Sequence, residues 1–165
     1  MWELYYKQID GNTVISATKK VGWFKLTFTD NQDFNNGGCP PNIKWVDGKP
    51  QLKTEAEKMP MLIPGKVSQL YQTAQAYVFS RGYDTVTLAR MLAFLTEGNE
   101  AQKALCNQVL AFTDNVTING YYARKAQAET CTTFDALNAI SDDYSDFDSS
   151  DPEITLIDIQ MAGGA

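Results

Sequence analysis

The hydrophobic period of this chain changes once, and that change constrains its fold more than any other feature. Up to about residue 53 the apolar residues tend to alternate with polar ones, as in "GWFKLTF". That is the period of a strand with one buried face. Beyond Pro64 and Gly65 they recur three and four positions apart, the period of a helix with one apolar stripe. Strands followed by helices, in separate blocks, make an α+β protein. At 165 residues the chain has the size of one ordinary domain.

Within the first block, "WELYYKQIDGNTVISATKK" offers two short segments around a turn at "DGN". "VGWFKLTFTD" is the clearest strand: Phe24, Leu26 and Phe28 point one way, and Lys25, Thr27 and Thr29 the other. The run "DNQDFNNGGCPPN" is dense in Asn, Gly and Pro and reads as a loop. "IKWVDGKPQLK" then reads as a short strand pair about "VDGKP". Thr54 and Glu57 stand at capping-box spacing, and the helix they start is expected to end at Pro60 and Pro64.

The second block carries three clear stripes. Val67, Leu70, Tyr71, Ala74 and Val78 share a face until Gly82; Leu88, Met91, Leu92 and Leu95 share the next until Gly98; Leu105, Val109, Phe112 and Val116 share the third. Asp84 or Thr85 and Asn99 are the expected N-caps. Asn119–Gly120 is a candidate break, although a helix can run through it, and "TTFDALNAI" a restart. Short turns between such helices predict an antiparallel bundle.

The end of the chain is different again. Five aspartates fall between Asp142 and Asp151, followed by the apolar "EITLIDIQMA". The aspartates read as a solvated spacer. Ile154, Leu156, Ile157 and Ile159 read as a strand that slips its alternation at Leu156–Ile157, as at a bulge or under burial on both faces. Ten extended residues reach about 33–36 Å, enough to carry that strand to a neighbouring molecule. On this reading, removal of residues 152–165 abolishes assembly and leaves the helices intact.

Several chemistries are disfavoured. The chain contains no histidine, which removes Ser-His-Asp and Cys-His nucleophile arrangements and the commonest zinc ligands. Cys39, Cys106 and Cys131 are odd in number and far apart, the pattern of free thiols rather than of a disulfide or metal framework. Asp146, Asp148 and Ser150 match the first half of a calcium loop, but Asp151 and Ile157 stand where Gly and Glu are required. "NNGGCPP" lacks the GK[ST] ending of a phosphate cradle. The pairs Asp30/Asp33 and Glu97/Glu100 are more simply turn and cap residues than glycosidase carboxylates. A net charge of −6 opposes nucleic-acid and anionic-membrane binding. No basic leader with an apolar stretch and no long apolar run is present, the pattern of a soluble protein made in a cytoplasm. The expectation is a non-enzyme without cofactor or metal.

The aromatic residues point elsewhere. Trp2, Tyr5, Tyr6, Trp23, Phe24 and Trp45 cluster in the first block. Trp and Tyr are enriched at interface hot spots and also form carbohydrate platforms. Because strand faces alternate, Tyr5 and Trp23 are placed away from their apolar neighbours, where a partner can cover them.

The segments "IKWVDGKP", "KPQLKTEAE", "RGYDTVTLARMLAFLTEGNEAQKALCNQVLAFTDNV" and "YYARKAQAETCTTFDALNAI" together resemble small bacteriophage tail-fibre accessory or attachment proteins and small virion components. The resemblance covers about half the chain. It implies a non-enzymatic structural or adaptor role in a virion, at the tail, in a protein made in the host cytoplasm and acting by protein–protein docking. Implied partners are other virion proteins or further copies of the chain in a homo-oligomer.

The expected organisation is therefore a single α+β domain over 1–141, with an antiparallel β segment (1–50) and an antiparallel helical bundle (54–141). A spacer (142–151) and a terminal strand (152–165) follow. Trp2, Tyr5, Trp23, Trp45, Ile154, Leu156, Ile157 and Ile159 are the candidate partner-binding residues. A carbohydrate- or ligand-binding module built on the exposed aromatics is the alternative.

Overall fold

The computed structural model describes residues 1–28 and 40–164; Thr29, Asp30, Asp33, Cys39 and the glycine-rich part of the loop lie outside them. The chain divides into two compact units, Met1–Pro60 and Met61–Ala165.

In the first unit, β1 (Trp2–Ile9), β2 (Asn12–Ser16) and β3 (Phe24–Phe28) form an antiparallel sheet in the order β2-β1-β3. β4 (Ile43–Val46) and β5 (Lys49–Leu52) form a hairpin. Both hairpin turns are Asp-Gly pairs with positive φ: Asp10 (49°) and Gly11 (78°), then Asp47 (50°) and Gly48 (72°). Such turns carry the twist of the flanking strands, which fixes register: Ile9 faces Asn12, and Val46 faces Lys49. Tyr6, Phe28 and Ile43 are the buried centre, packed with Leu4, Ile15, Leu26, Trp45 and Leu52.

The helices are α1 (Glu55–Ser80), α2 (Thr85–Glu97), α3 (Glu100–Asn115), a π segment (Val116–Tyr122), α4 (Ala123–Glu129), α5 (Phe134–Asn138), a 3₁₀ turn (Ser145–Ser150) and α6 (Leu156–Met161). Asp84 and Asn99 cap α2 and α3 by accepting from the amides of Thr87 and Gln102. Gly82 takes φ +86° where α1 stops. The core of the second unit joins Val78 and Ala74 of α1, Met91 of α2, and Cys106, Val109 and Phe112 of α3 to Tyr83, Val116, Tyr144 and Ile159.

Three sequence expectations are corrected. Pro60 and Pro64 do not end the first helix, which runs unbroken from Glu55 to Ser80. An interior proline costs about 3 kcal/mol. Here both rings, and the residues Ala56 and Pro60 whose carbonyls lose their amide partners, are exposed to water, while Met59 and Leu70 on either side are buried. Hydration of the freed carbonyls and burial on the other face offset the loss.

The terminal strand is instead the short helix α6. Thr155 and Asp158 form a capping box, with Thr155 Oγ1 accepting from the Asp158 amide and Asp158 accepting from the Thr155 amide at 2.7 Å. A helix places Leu156 and Ile159 three apart on one face and leaves Ile157 64 % exposed, which removes the slip that a strand reading required. At its far end, Gln102 Nε2 donates to the Ile159 carbonyl (3.1 Å) and Asn99 Nδ2 to that of Ala162 (3.0 Å). The residues that cap the start of α3 thus also satisfy the end of α6.

Nor is the aspartate run a free spacer. Tyr77 Oη donates to Asp148 (2.6 Å) and Tyr83 Oη to Asp151 (2.7 Å). Arg81 pairs with Asp148, and Arg124 with Asp146 at 3.2 Å. Tyr144, buried, donates to the Leu70 carbonyl (3.0 Å) and lies against Arg124, whose guanidinium carbon is 4.1 Å from the ring centroid. Its ring covers Gly120 of the π segment, where an added Cβ would meet Cε1 at 2.9 Å. The segment is a clasp, held by a tyrosine in the core and by carboxylates at its edge.

Candidate functional site

Beside the π segment lies an apolar groove of about 510 Å³. Tyr71, Val78 and Phe79 of α1 form one wall, Leu88 and Leu92 of α2 the second, and Val116 and Tyr121 of the π segment the third. Among the described residues, no charged side chain lines it. Its apolar side chains are only partly covered: Leu92 is 52 %, Tyr71 48 % and Phe79 43 % exposed. Tyr71 and Leu92 belong to stripes whose other members are buried or half-buried, and Phe79 lies one position off its stripe. The faces are wider than the core needs.

Several polar groups of the walls are turned to their own helices. Thr113 Oγ1 donates to the Leu110 carbonyl (3.0 Å) and Thr117 Oγ1 to that of Thr113 (2.8 Å), so their methyls remain for the groove. Tyr71 Oη accepts from Gln75 Nε2 at 2.8 Å, and the Tyr71 ring meets Tyr121 edge-on at 5.4 Å. Tyr121 owes its place to the π winding, which re-aims side chains relative to an α turn; such segments recur at functional sites.

Behind the groove the clasp sets the electrostatics. Burial, then the bond to Asp148, pushes the Tyr77 hydroxyl up to about 12. The same bond, with Arg81 beside it, holds Asp148 below the ordinary carboxylate range. Burial likewise raises Tyr83 and Tyr144. These shifts arise within a network of paired groups in which Asp148 remains about half exposed. Among the described residues, no cluster of three or more His, Cys, Asp or Glu side chains could hold a metal ion.

The residues singled out from sequence lie in two places. Trp2, Tyr5, Trp23 and Trp45 belong to the first unit. Tyr5 stands on the opposite sheet face to Tyr6, with its hydroxyl on Glu3 (3.2 Å) in front of the Glu3–Lys25 ion pair. Trp45 is engaged internally: Nε1 donates to Thr13 Oγ1 (2.8 Å), and the ring meets Phe24 at 5.8 Å. Trp2 is 38 % exposed and Trp23 half-buried. In the second unit Ile154 and Leu156 pack on the core, Ile159 is inside it, and Ile157 alone of the four is exposed. The groove residues Phe79, Thr117 and Tyr121 were missed. The spacing of Phe79, one position off the Leu70–Ala74–Val78 stripe, was a legible signal; the π winding that presents Tyr121 was not.

No family model matches this chain, and neither a curated protein nor a solved structure matches it.

Proposed function

We propose that this chain is a non-enzymatic docking protein of a bacteriophage particle, associated with the tail, and that the groove between α1, α2 and the π segment is its working surface. The observation that carries the reading is a three-walled apolar groove in which Tyr71, Phe79 and Leu92 stay 43–52 % exposed. Exposed apolar surface of this kind marks interaction sites, and a groove between helices is a common place for one. The resemblance of "IKWVDGKP" and the helical segments to tail-fibre accessory proteins supports a virion setting. The test is a photo-crosslinking amino acid placed at Phe79 or Leu92, and as control at the fully exposed Val21, during particle production. Crosslinks to a virion protein from the groove positions alone are expected. Their absence at both, with the chain missing from purified particles, overturns the proposal.

A further inference from the structure

We propose that the groove receives an amphipathic helix that carries basic residues beside its apolar stripe; this rests on the docking reading above. Three observations select that occupant. First, the walls offer few groups to a peptide main chain: Thr113 and Thr117 spend their hydroxyl protons on carbonyls of their own helical run, and among the described lining residues the Tyr71 hydroxyl proton, Gln75 and Thr85 are left for a whole stretch of peptide groups. An extended segment buried there would leave amides and carbonyls unpaired, at about 1–3 kcal/mol each. A helix brings its own main-chain bonds and presents only side chains.

Second, the dimensions suit it. Tyr71 and Phe79 bound the α1 wall, eight residues apart, which is about 12 Å of helix rise. Two turns of a docked helix cover that length, with anchors at i, i+3 or i+4, and i+7 against Tyr71, Leu92 and Phe79.

Third, the charge is one-sided. Met61–Ala165 holds six Lys and Arg against thirteen Asp and Glu, net −7. Four of those cations, Arg81, Lys103, Arg124 and Lys125, are tied in ion pairs inside the unit. Asp84 and Asp114, both exposed, directly precede and follow the groove residues Thr85 and Thr113, against the exposed Arg90 that follows Ala89. The Asp84 carboxyl is held low by the Thr87 amide and so stays ionised. An apolar groove in an anionic field favours lysine and arginine flanks by complementarity and steers their approach.

The test uses two dye-labelled helical peptides with the same leucine stripe, one flanked by lysines and one by glutamates, titrated by fluorescence anisotropy against the full chain. The lysine peptide is expected to bind at least tenfold more tightly and to weaken as salt rises. The double variant Phe79→Asn/Leu92→Asn is expected to weaken it a further tenfold or more while keeping the native circular dichroism spectrum. Equal binding of both peptides overturns the basic-helix assignment and leaves the docking groove standing. Lysine-peptide binding that ignores the double variant, or no binding of either peptide, overturns this proposal; groove crosslinks to a virion protein would then still uphold docking of a partner of another class.

Discussion

Replacing Gly120 by alanine sets two effects of opposite sign against each other. Gly120 is buried in a helical run and its φ is not positive. Helix propensity alone therefore predicts that alanine stabilises by about 0.5–1 kcal/mol. The new Cβ, however, would stand 2.9 and 3.1 Å from Cε1 and Cδ1 of Tyr144 and 3.2 Å from Cε2 of Phe147. The Tyr144 ring cannot swing aside. Tyr144 is fixed by its bond to the Leu70 carbonyl and by the Arg124 guanidinium over its face. Overpacking of this kind costs about 1–3 kcal/mol, so the net expectation is a loss of up to about 2.5 kcal/mol, centred near 1. Urea unfolding followed by circular dichroism reads it as a lower midpoint with an unchanged slope. In a Tyr144→Leu background the clash is relieved, and Gly120→Ala becomes neutral or stabilising. Stabilisation by Gly120→Ala in the otherwise native chain would mean that the aspartate segment does not lie on the helix.

Thr155→Ala removes one acceptor of the α6 capping box and is expected to cost about 1 kcal/mol, read as a lower unfolding midpoint; no change would mean that α6 contributes nothing to stability. Phe79→Asn and Leu92→Asn alter half-exposed side chains and should each cost about 1 kcal/mol, measured the same way, with the native circular dichroism spectrum kept. The raised Tyr77 hydroxyl has an ordinary value of 10.0 and a folded value of about 12. Its contribution is therefore complete below pH 10 and lost as the pH rises towards 12. The urea midpoint should fall as the pH rises from 10 towards 12, and Tyr77→Phe should flatten that dependence. On the acid side Glu57, bonded to Lys44 and the Thr54 amide, is held down to about 2 from 4.5. Its contribution is present above 4.5 and lost as the pH falls towards 2, and Glu57→Gln should weaken the acid destabilisation of the first unit.

The parts of the fold legible in the sequence are those where local chemistry and tertiary packing agree. Asp10–Gly11 and Asp47–Gly48 specify their hairpins, and Asp84, Asn99, Gly82 and Gly98 punctuate their helices as read. The α+β class followed from the change of period. The failures share one cause. Pro60 and Pro64 break a helix by local rules, but both rings face water here, which sequence spacing alone does not reveal. The run "EITLIDIQ" has strand composition, and the β-branched residues outweighed the Thr155–Asp158 capping pair that was visible three positions apart. The aspartates read as solvated because the partners that hold them, Tyr77, Arg81, Tyr83 and Arg124, lie 22 to 71 residues away in sequence. The groove was half legible: Tyr71 and Leu92 were assigned to core stripes, and only the packed helices show that the core leaves them at its edge.

The central claim is that the last residues complete the helical unit from within and leave the groove facing outward. Removal of residues 152–165 tests it most directly, because that deletion takes away Ile159, the packed Ile154 and Leu156, and the carbonyls that Asn99 and Gln102 bind. The account predicts a truncated chain whose helical unit has lost several kcal/mol of stability, on the scale of about 2–5 kcal/mol for emptying a single large core position, seen as a sharply lower urea midpoint. A truncated chain with undiminished helical signal and an unchanged midpoint would contradict it.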